Sequence, residues 1–239
     1  MKSFLTSFAV LLTLASISTA ADPAPAEQIR VVLVGDSTVQ SKTGWGDAFI
    51  PLLQSDVKCI NMGRGGRSSK SYRDEGAWDL VLKEKPTYIL IQFGHNDQPG
   101  KGVARETDPK STYPENLARF VDEARAIGAE PILVTSLVRR NFDADGKHLR
   151  PDLEPYAEAV RKVGQEKKVA IVDLHARSKE QIEKLGPEGC KSFNADLDKE
   201  APGSAGDHTH LCKHGAEMTA PLVAEEMRRI NSGLAKYLK

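Results

Sequence analysis

Short apolar runs alternate with longer amphipathic stretches along most of this chain. Ile29–Val34 is apolar apart from Arg30, and Val57–Met62, Thr87–Phe93, Glu130–Ser136 and Val169–Leu174 are further runs of similar length. Such runs predict strands buried on both faces. Between them, Pro114–Ile127, ended by Gly128, and Pro151–Lys168 carry apolar residues at helical spacing, and Lys213–Leu238 does so at the end of the chain. Strands alternating with helices predict an α/β fold, a five-stranded parallel sheet between two helical layers with right-handed crossovers. In this three-layer α/β/α sandwich a site lies beyond the carboxyl ends of the strands. The segments that follow the strands therefore carry the chemistry.

The first residues stand apart from this pattern. Met1-Lys2 supplies a short positive start, Ser3–Ile17 is an apolar run broken by small hydroxyl residues, and Ser18-Thr19-Ala20 has the small side chains of a cleavage site. Residues 1–20 are thus expected to be a signal peptide, 21–28 a loose leader and 29–239 one domain. The apolar run is shorter than the ~20 residues that a membrane span requires. The mature protein is expected to be secreted or periplasmic, free of the membrane and monomeric.

Composition changes this picture little. The chain has 239 residues, 40% hydrophobic and 28% charged, which suits one soluble domain. A formal net charge of +0 gives no global reason to expect nucleic acid as a partner. Of the three cysteines, Cys59 lies in a strand run and reads as a buried thiol. Cys190 and Cys212 are open to pairing in an oxidising compartment.

Three segments at strand ends and one before the last helix carry candidate chemistry. Gly35-Asp36-Ser37-Thr38 follows the first strand, where a sharp turn into a helix would expose the Ser37 hydroxyl as a nucleophile; alone, it also reads as a helix cap. Gly63-Arg64-Gly65-Gly66-Arg67-Ser68-Ser69 follows the second and can aim backbone N–H groups at an anion, though it lacks the phosphate-loop pattern. Gly94-His95-Asn96-Asp97 follows the third, and the Asn96 amide could donate to an oxyanion. Asp207-His208-Thr209-His210 precedes the last helix. Three residues apart in one helical turn, Asp207 could orient the His210 imidazole as a general base. The competing reading of this last segment is metal ligation by Asp207, His208, His210 and His214, although the spacing matches no zinc pattern.

Taken together, these blocks resemble the SGNH (GDSL) hydrolases, and within them the rhamnogalacturonan acetylesterase group. Gly44-Trp45-Gly46, Gly66-Arg67-Ser68 and Ser71-Tyr72 add to the likeness, and threonine stands at position 38 where many members have leucine. The resemblance implies a flavodoxin-like sandwich with Ser37 as nucleophile, His210 as base and Asp207 as its partner. It implies an oxyanion hole made by the backbone N–H groups of Ser37 and Gly66 and the side chain of Asn96. Gly66 is preferred to Gly63 or Gly65 because it directly precedes Arg-Ser. No metal and no cofactor are implied.

The expected activity is removal of acetyl groups from a plant cell-wall polysaccharide. Gln98–Thr112 and Arg139–Arg150 are loops of this chain's own character, where specificity would be set. Arg67, Arg139 and Arg140, among the basic residues after the second and fourth strands, are expected to favour an anionic polymer such as pectin. Acetylxylan is the alternative substrate. A polysaccharide-binding scaffold without turnover and a metal-dependent hydrolase are the readings from other classes.

Overall fold

The computed structural model describes Met1, residues 28–197 and residues 206–239. Apart from Met1 and Gln28, the expected signal peptide and leader lie outside the described residues. The strands are β1 (Arg30–Gly35), β2 (Lys58–Asn61), β3 (Tyr88–Gln92), β4 (Glu130–Val134) and β5 (Ala170–Val172). They form one sheet in the order β2-β1-β3-β4-β5, with every neighbouring pair parallel. This is the expected five-stranded parallel sheet.

Both faces of the sheet are covered, which explains why its central strands are apolar throughout. Along β1, Val31 and Leu33 enter one core while Val32 and Val34 enter the other, as the two-residue strand period requires. The first core is closed by α1 (Gly46–Phe49), α6 (Leu174–Gly189) and α7 (Lys213–Arg229). The second is closed by α2 (Ser71–Asp74), α3 (Ala77–Lys83), α4 (Thr112–Ala126) and α5 (Glu154–Glu166). Helix α4 buries Tyr113, Leu117, Phe120, Val121 and Ala124, a stripe at three- and four-residue spacing. Phe120 packs edge-on to Trp78 at 4.7 Å and stacks on Phe93 at 5.6 Å. Each such aromatic pair adds about 0.5–1.5 kcal/mol beyond its area burial.

Some boundaries differ from expectation for local reasons. The last helix stops at Arg229 instead of running to Leu238. Asn231 takes φ 50, and the Ser232 and Asn231 amides donate back to Met227 O and Arg228 O, a left-handed helix cap. A separate 3-10 turn, Gly233–Tyr237, then begins under the Ser232 hydroxyl. Helices α3 and α6 fall outside the segments picked out by periodicity. No helix follows directly on Ser37, because Asp36 Oδ1 accepts from both the Thr38 amide and the Thr38 hydroxyl, at 2.8 and 2.7 Å. That local bonding competes with helical pairing, and the chain makes turns until α1 begins at Gly46.

Cys190 and Cys212 are buried free thiols with separate partners. The Cys190 thiol donates to Pro187 O at 3.4 Å, whereas that of Cys212 donates to Ser192 O at 3.2 Å and accepts from Gly215 N at the start of α7. Cys59, on edge strand β2, is half-buried, and burial pushes its thiol up to about 12.

Candidate active site

The carboxyl ends of β1, β3 and β4 open into a cleft of about 450 Å³. Ser37, His95, Asn96 and Arg139 line it together with the segment Gly206–His210. Ser37 sits in the turn after β1 and is 8% exposed. Its carbonyl accepts from the Thr43 hydroxyl at 2.8 Å, and Thr43 O accepts from Leu211 N at 2.9 Å. Thr43 thereby ties the Ser37 turn to the segment that carries His210.

His210 stands between Ser37 and Asp207. The Ser37 hydroxyl lies 2.7 Å from His210 Nε2, and His210 Nδ1 lies 2.6 Å from Asp207 Oδ2. A carboxylate only accepts, so the Nδ1 proton points at Asp207 and Nε2 is left to accept from the serine. The 207–210 segment is not a helical turn. Asp207 Oδ1 instead accepts from the Thr209 and His210 amides at 2.8 and 2.9 Å, and this side-chain turn brings the i and i+3 residues together. Burial works to raise the Asp207 carboxyl. The two amides and the imidazole outweigh it and hold the carboxyl below its ordinary range.

Three N–H groups at this rim are open to a ligand. Among the described residues, the Gly66 amide is the one N–H of Gly63–Arg67 without a protein acceptor. Gly63, Arg64, Gly65 and Arg67 donate to Asn61 Oδ1, Gly35 O, Gln40 Oε1 and Arg64 O. Gly66 also takes φ 77, a left-handed conformation suited to glycine. The Ser37 amide likewise has no acceptor among the described residues. One N–H of the Asn96 amide donates to Arg67 O at 3.1 Å, which leaves the other free.

Behind Ser37 lies a second imidazole–carboxylate pair. His95 is 2% exposed, and its Nδ1 is 3.6 Å from Asp36 Oδ2. Burial favours the neutral imidazole and lowers its pKa against the pull of Asp36. Burial raises the Asp36 carboxyl, but His95 and Thr38 outweigh it and the acid stays ionised.

A family model described as GDSL-like lipase/acylhydrolase matches residues 33–215. The chain belongs to this family. Rhamnogalacturonan acetylesterase RhgT of Bacillus subtilis is 36% identical to it over 223 residues, covering 88% of this chain and 94% of that protein. Among solved structures, protein YXIM of Bacillus subtilis superposes with a TM-score of 0.70 at 24% identity. That match covers 87% of this chain and 58% of the longer Bacillus chain. A catalytic mutant of Axe2, an acetylxylan esterase from Geobacillus stearothermophilus, superposes with a TM-score of 0.64 at 17% identity, covering 83% of this chain and 94% of that one.

In this GDSL-family cleft the three expected arginines have different surroundings. Arg139 lines the wall. Arg67 is half-exposed and paired with Glu75 at 2.9 Å, away from the lining. Arg140, expected to contact substrate, is 2% exposed and points inward. Its side chain donates to Asp207 O at 2.9 Å, His210 O at 2.7 Å and Asn194 Oδ1 at 3.1 Å, with a longer contact of 3.5 Å to Thr209 O. Its backbone N–H takes His208 O at 2.8 Å. One arginine therefore holds all four carbonyls of residues 207–210.

Among the described residues no three histidine, cysteine or carboxylate side chains gather so as to hold a metal ion. His208 Nδ1 donates to Arg140 O at 3.1 Å, and His214 packs edge-on against Phe193 at 5.8 Å. Sequence reasoning did not single out Thr43, Lys101, Arg105 or the His95–Asp36 pair as parts of the site. For His95 the signal was present, because it lies inside the Gly94–Asp97 block.

Proposed function

We propose that this protein is an exported serine esterase that removes acetyl groups from an acetylated plant cell-wall polysaccharide, rhamnogalacturonan-type pectin foremost. The observation that carries this reading is the continuous Ser37–His210–Asp207 chain, with contacts of 2.7 and 2.6 Å. His210 would take the Ser37 proton as the hydroxyl attacks the acetyl carbonyl. The Ser37 and Gly66 amides and the Asn96 side chain would hold the oxyanion. His210 then returns the proton to the departing sugar hydroxyl, and water repeats the sequence to release acetate. Asp207 remains ionised and orients the ring throughout. His210 acts as the base only in its neutral form.

The polymer assignment rests on likeness to RhgT over most of both chains. Export through residues 1–20 suits a substrate too large to cross a membrane. The likeness to Axe2 is one of fold, so acetylxylan forms a second arm of the test. The experiment is acetate release from acetylated rhamnogalacturonan and from acetylxylan, with Ser37→Ala as control. Release from the pectic polymer, lost in the variant, is expected. Release from xylan alone would retain the serine chemistry and overturn the pectic assignment. Equal release by wild type and Ser37→Ala would overturn the mechanism, and release by neither would leave a binding scaffold.

A further inference from the structure

Positive charge gathers on one wall of the cleft. Lys101 and Arg139 both line it, beside Asn96 and Thr209. Arg105 stands beside this lining rather than in it, on the same loop as Lys101, with its Nε donating to Lys101 O at 2.7 Å. Its Nη1 reaches to 4.0 Å from the position a Cβ on Gly66 would occupy, next to the free Gly66 amide. Arg139 is steadied by neutral acceptors, Thr209 Oγ1 at 2.9 Å, Gln98 Oε1 at 2.7 Å and His95 O at 3.2 Å. Among the described residues none of these three cations forms an ion pair. Acidic groups nearby are engaged elsewhere. Glu106 Oε1 accepts from Gly102 N at 2.6 Å, Asp152 Oδ2 from Asn141 Nδ2 at 3.2 Å, and Asp207 holds His210.

Three like charges at one wall repel one another until an anion enters between them. Lys101 registers the repulsion: burial, then Arg139 and Arg105, lower its ammonium below the usual lysine range. Guanidinium forks match a planar carboxylate, and Lys101 adds a mobile point charge. We propose that Lys101, Arg105 and Arg139 form a carboxylate subsite that takes a uronate of the polymer beside the acetylated sugar. The subsite makes the cleft selective for acidic over neutral acetylated polysaccharides. It rests on the esterase reading above, and it places the selective charge on the 98–112 loop and Arg139 in place of Arg67 and Arg140.

The test compares acetate release from an acetylated pectic oligosaccharide in its free-acid form and in its carboxyl methyl-ester form. Wild type is expected to prefer the free acid by about tenfold or more in kcat/KM, the scale of one or two charge-assisted hydrogen bonds. The preference should appear in KM and shrink as salt is raised. In Lys101→Met/Arg105→Met the ratio between the two forms falls towards one, and the charge-conserving Lys101→Arg/Arg105→Lys restores most of it. A wild type indifferent to esterification overturns the subsite. So does a double variant that loses the same factor on both forms. Hydrolysis of 4-nitrophenyl acetate by wild type separates the two readings. Its absence overturns the esterase, whereas its presence without any free-acid preference overturns the subsite alone.

Discussion

Replacing Arg140 with methionine tests how the His210 segment is held in place. The substitution removes the two short bonds to Asp207 O and His210 O and the bond to Asn194 Oδ1, and it leaves the backbone bond to His208 O intact. Bonds to a charged donor contribute about 1.5–3 kcal/mol each, offset in part by losing the cost of burying a guanidinium. Some of the freed carbonyls would also regain water. A net loss of about 3 kcal/mol of stability is expected, which for a domain of this size lowers Tm by about 6–12 °C. The segment carries both Asp207 and His210, so a shift of about 1 Å in the imidazole would cost roughly a hundredfold in kcat.

The assay is kcat and KM on 4-nitrophenyl acetate well below the melting transition, alongside a thermal melt followed by circular dichroism. Arg140→Lys, with fewer donors, should fall between methionine and wild type in both readouts. A lower Tm with wild-type kcat would refute the positioning role. An unchanged Tm would refute the clamp itself, and a rise in KM with kcat intact would point back to substrate contact.

Two further outcomes are expected. Asn96→Ala should lower kcat by about 10²–10³ with little change in KM, the usual cost of one oxyanion donor, and steady-state kinetics with an unchanged kcat would exclude that role. Asp97 is buried and accepts from the Ser69 amide and hydroxyl and the Thr107 hydroxyl. Burial dominates and raises its pKa from 3.8 to about 7. Between those values the folded state binds the proton more tightly than the unfolded state, so this group's contribution is full below the ordinary range and declines as pH rises towards 7. The decline is bounded by about 4 kcal/mol. His95, whose neutral form burial favours, pulls the other way below the ordinary imidazole value of 6.5. Denaturant titrations of Asp97→Asn against wild type isolate the carboxyl. The variant should gain relative stability steadily from pH 4 to 7, and a constant difference would rule this out.

Much of the architecture was legible from periodicity because it depends on near neighbours in the chain. Each of the five strands lies within two residues of its apolar run, since a strand buried on both faces must be apolar along its length. The motif blocks were legible for the same reason, as Ser37, Gly66 and Asn96 follow strands that the pattern reveals and His210 precedes the last helix. Helix α6 was not, because its buried residues Leu174, His175, Ser178 and Ile182 mix polar with apolar side chains. The form of the Ser37 and Asp207 turns was also hidden. Each depends on one carboxylate oxygen capturing amides two or three residues ahead in place of a helical turn.

Local pattern was enough for the sheet, its layers and the identity of the residues at its carboxyl end. The role of each arginine was not written there. Arg67, Arg139 and Arg140 are equally basic in the sequence, yet one pairs on the surface, one lines the cleft and one is buried beneath the His210 segment. The partners of Arg140 lie 67 to 70 residues away for the carbonyls and 54 for Asn194. Which way a long side chain turns depends on which acceptors the folded chain brings within reach. Periodicity reports burial of an element's face, whereas charge placement follows from contacts that exist only once the layers have closed.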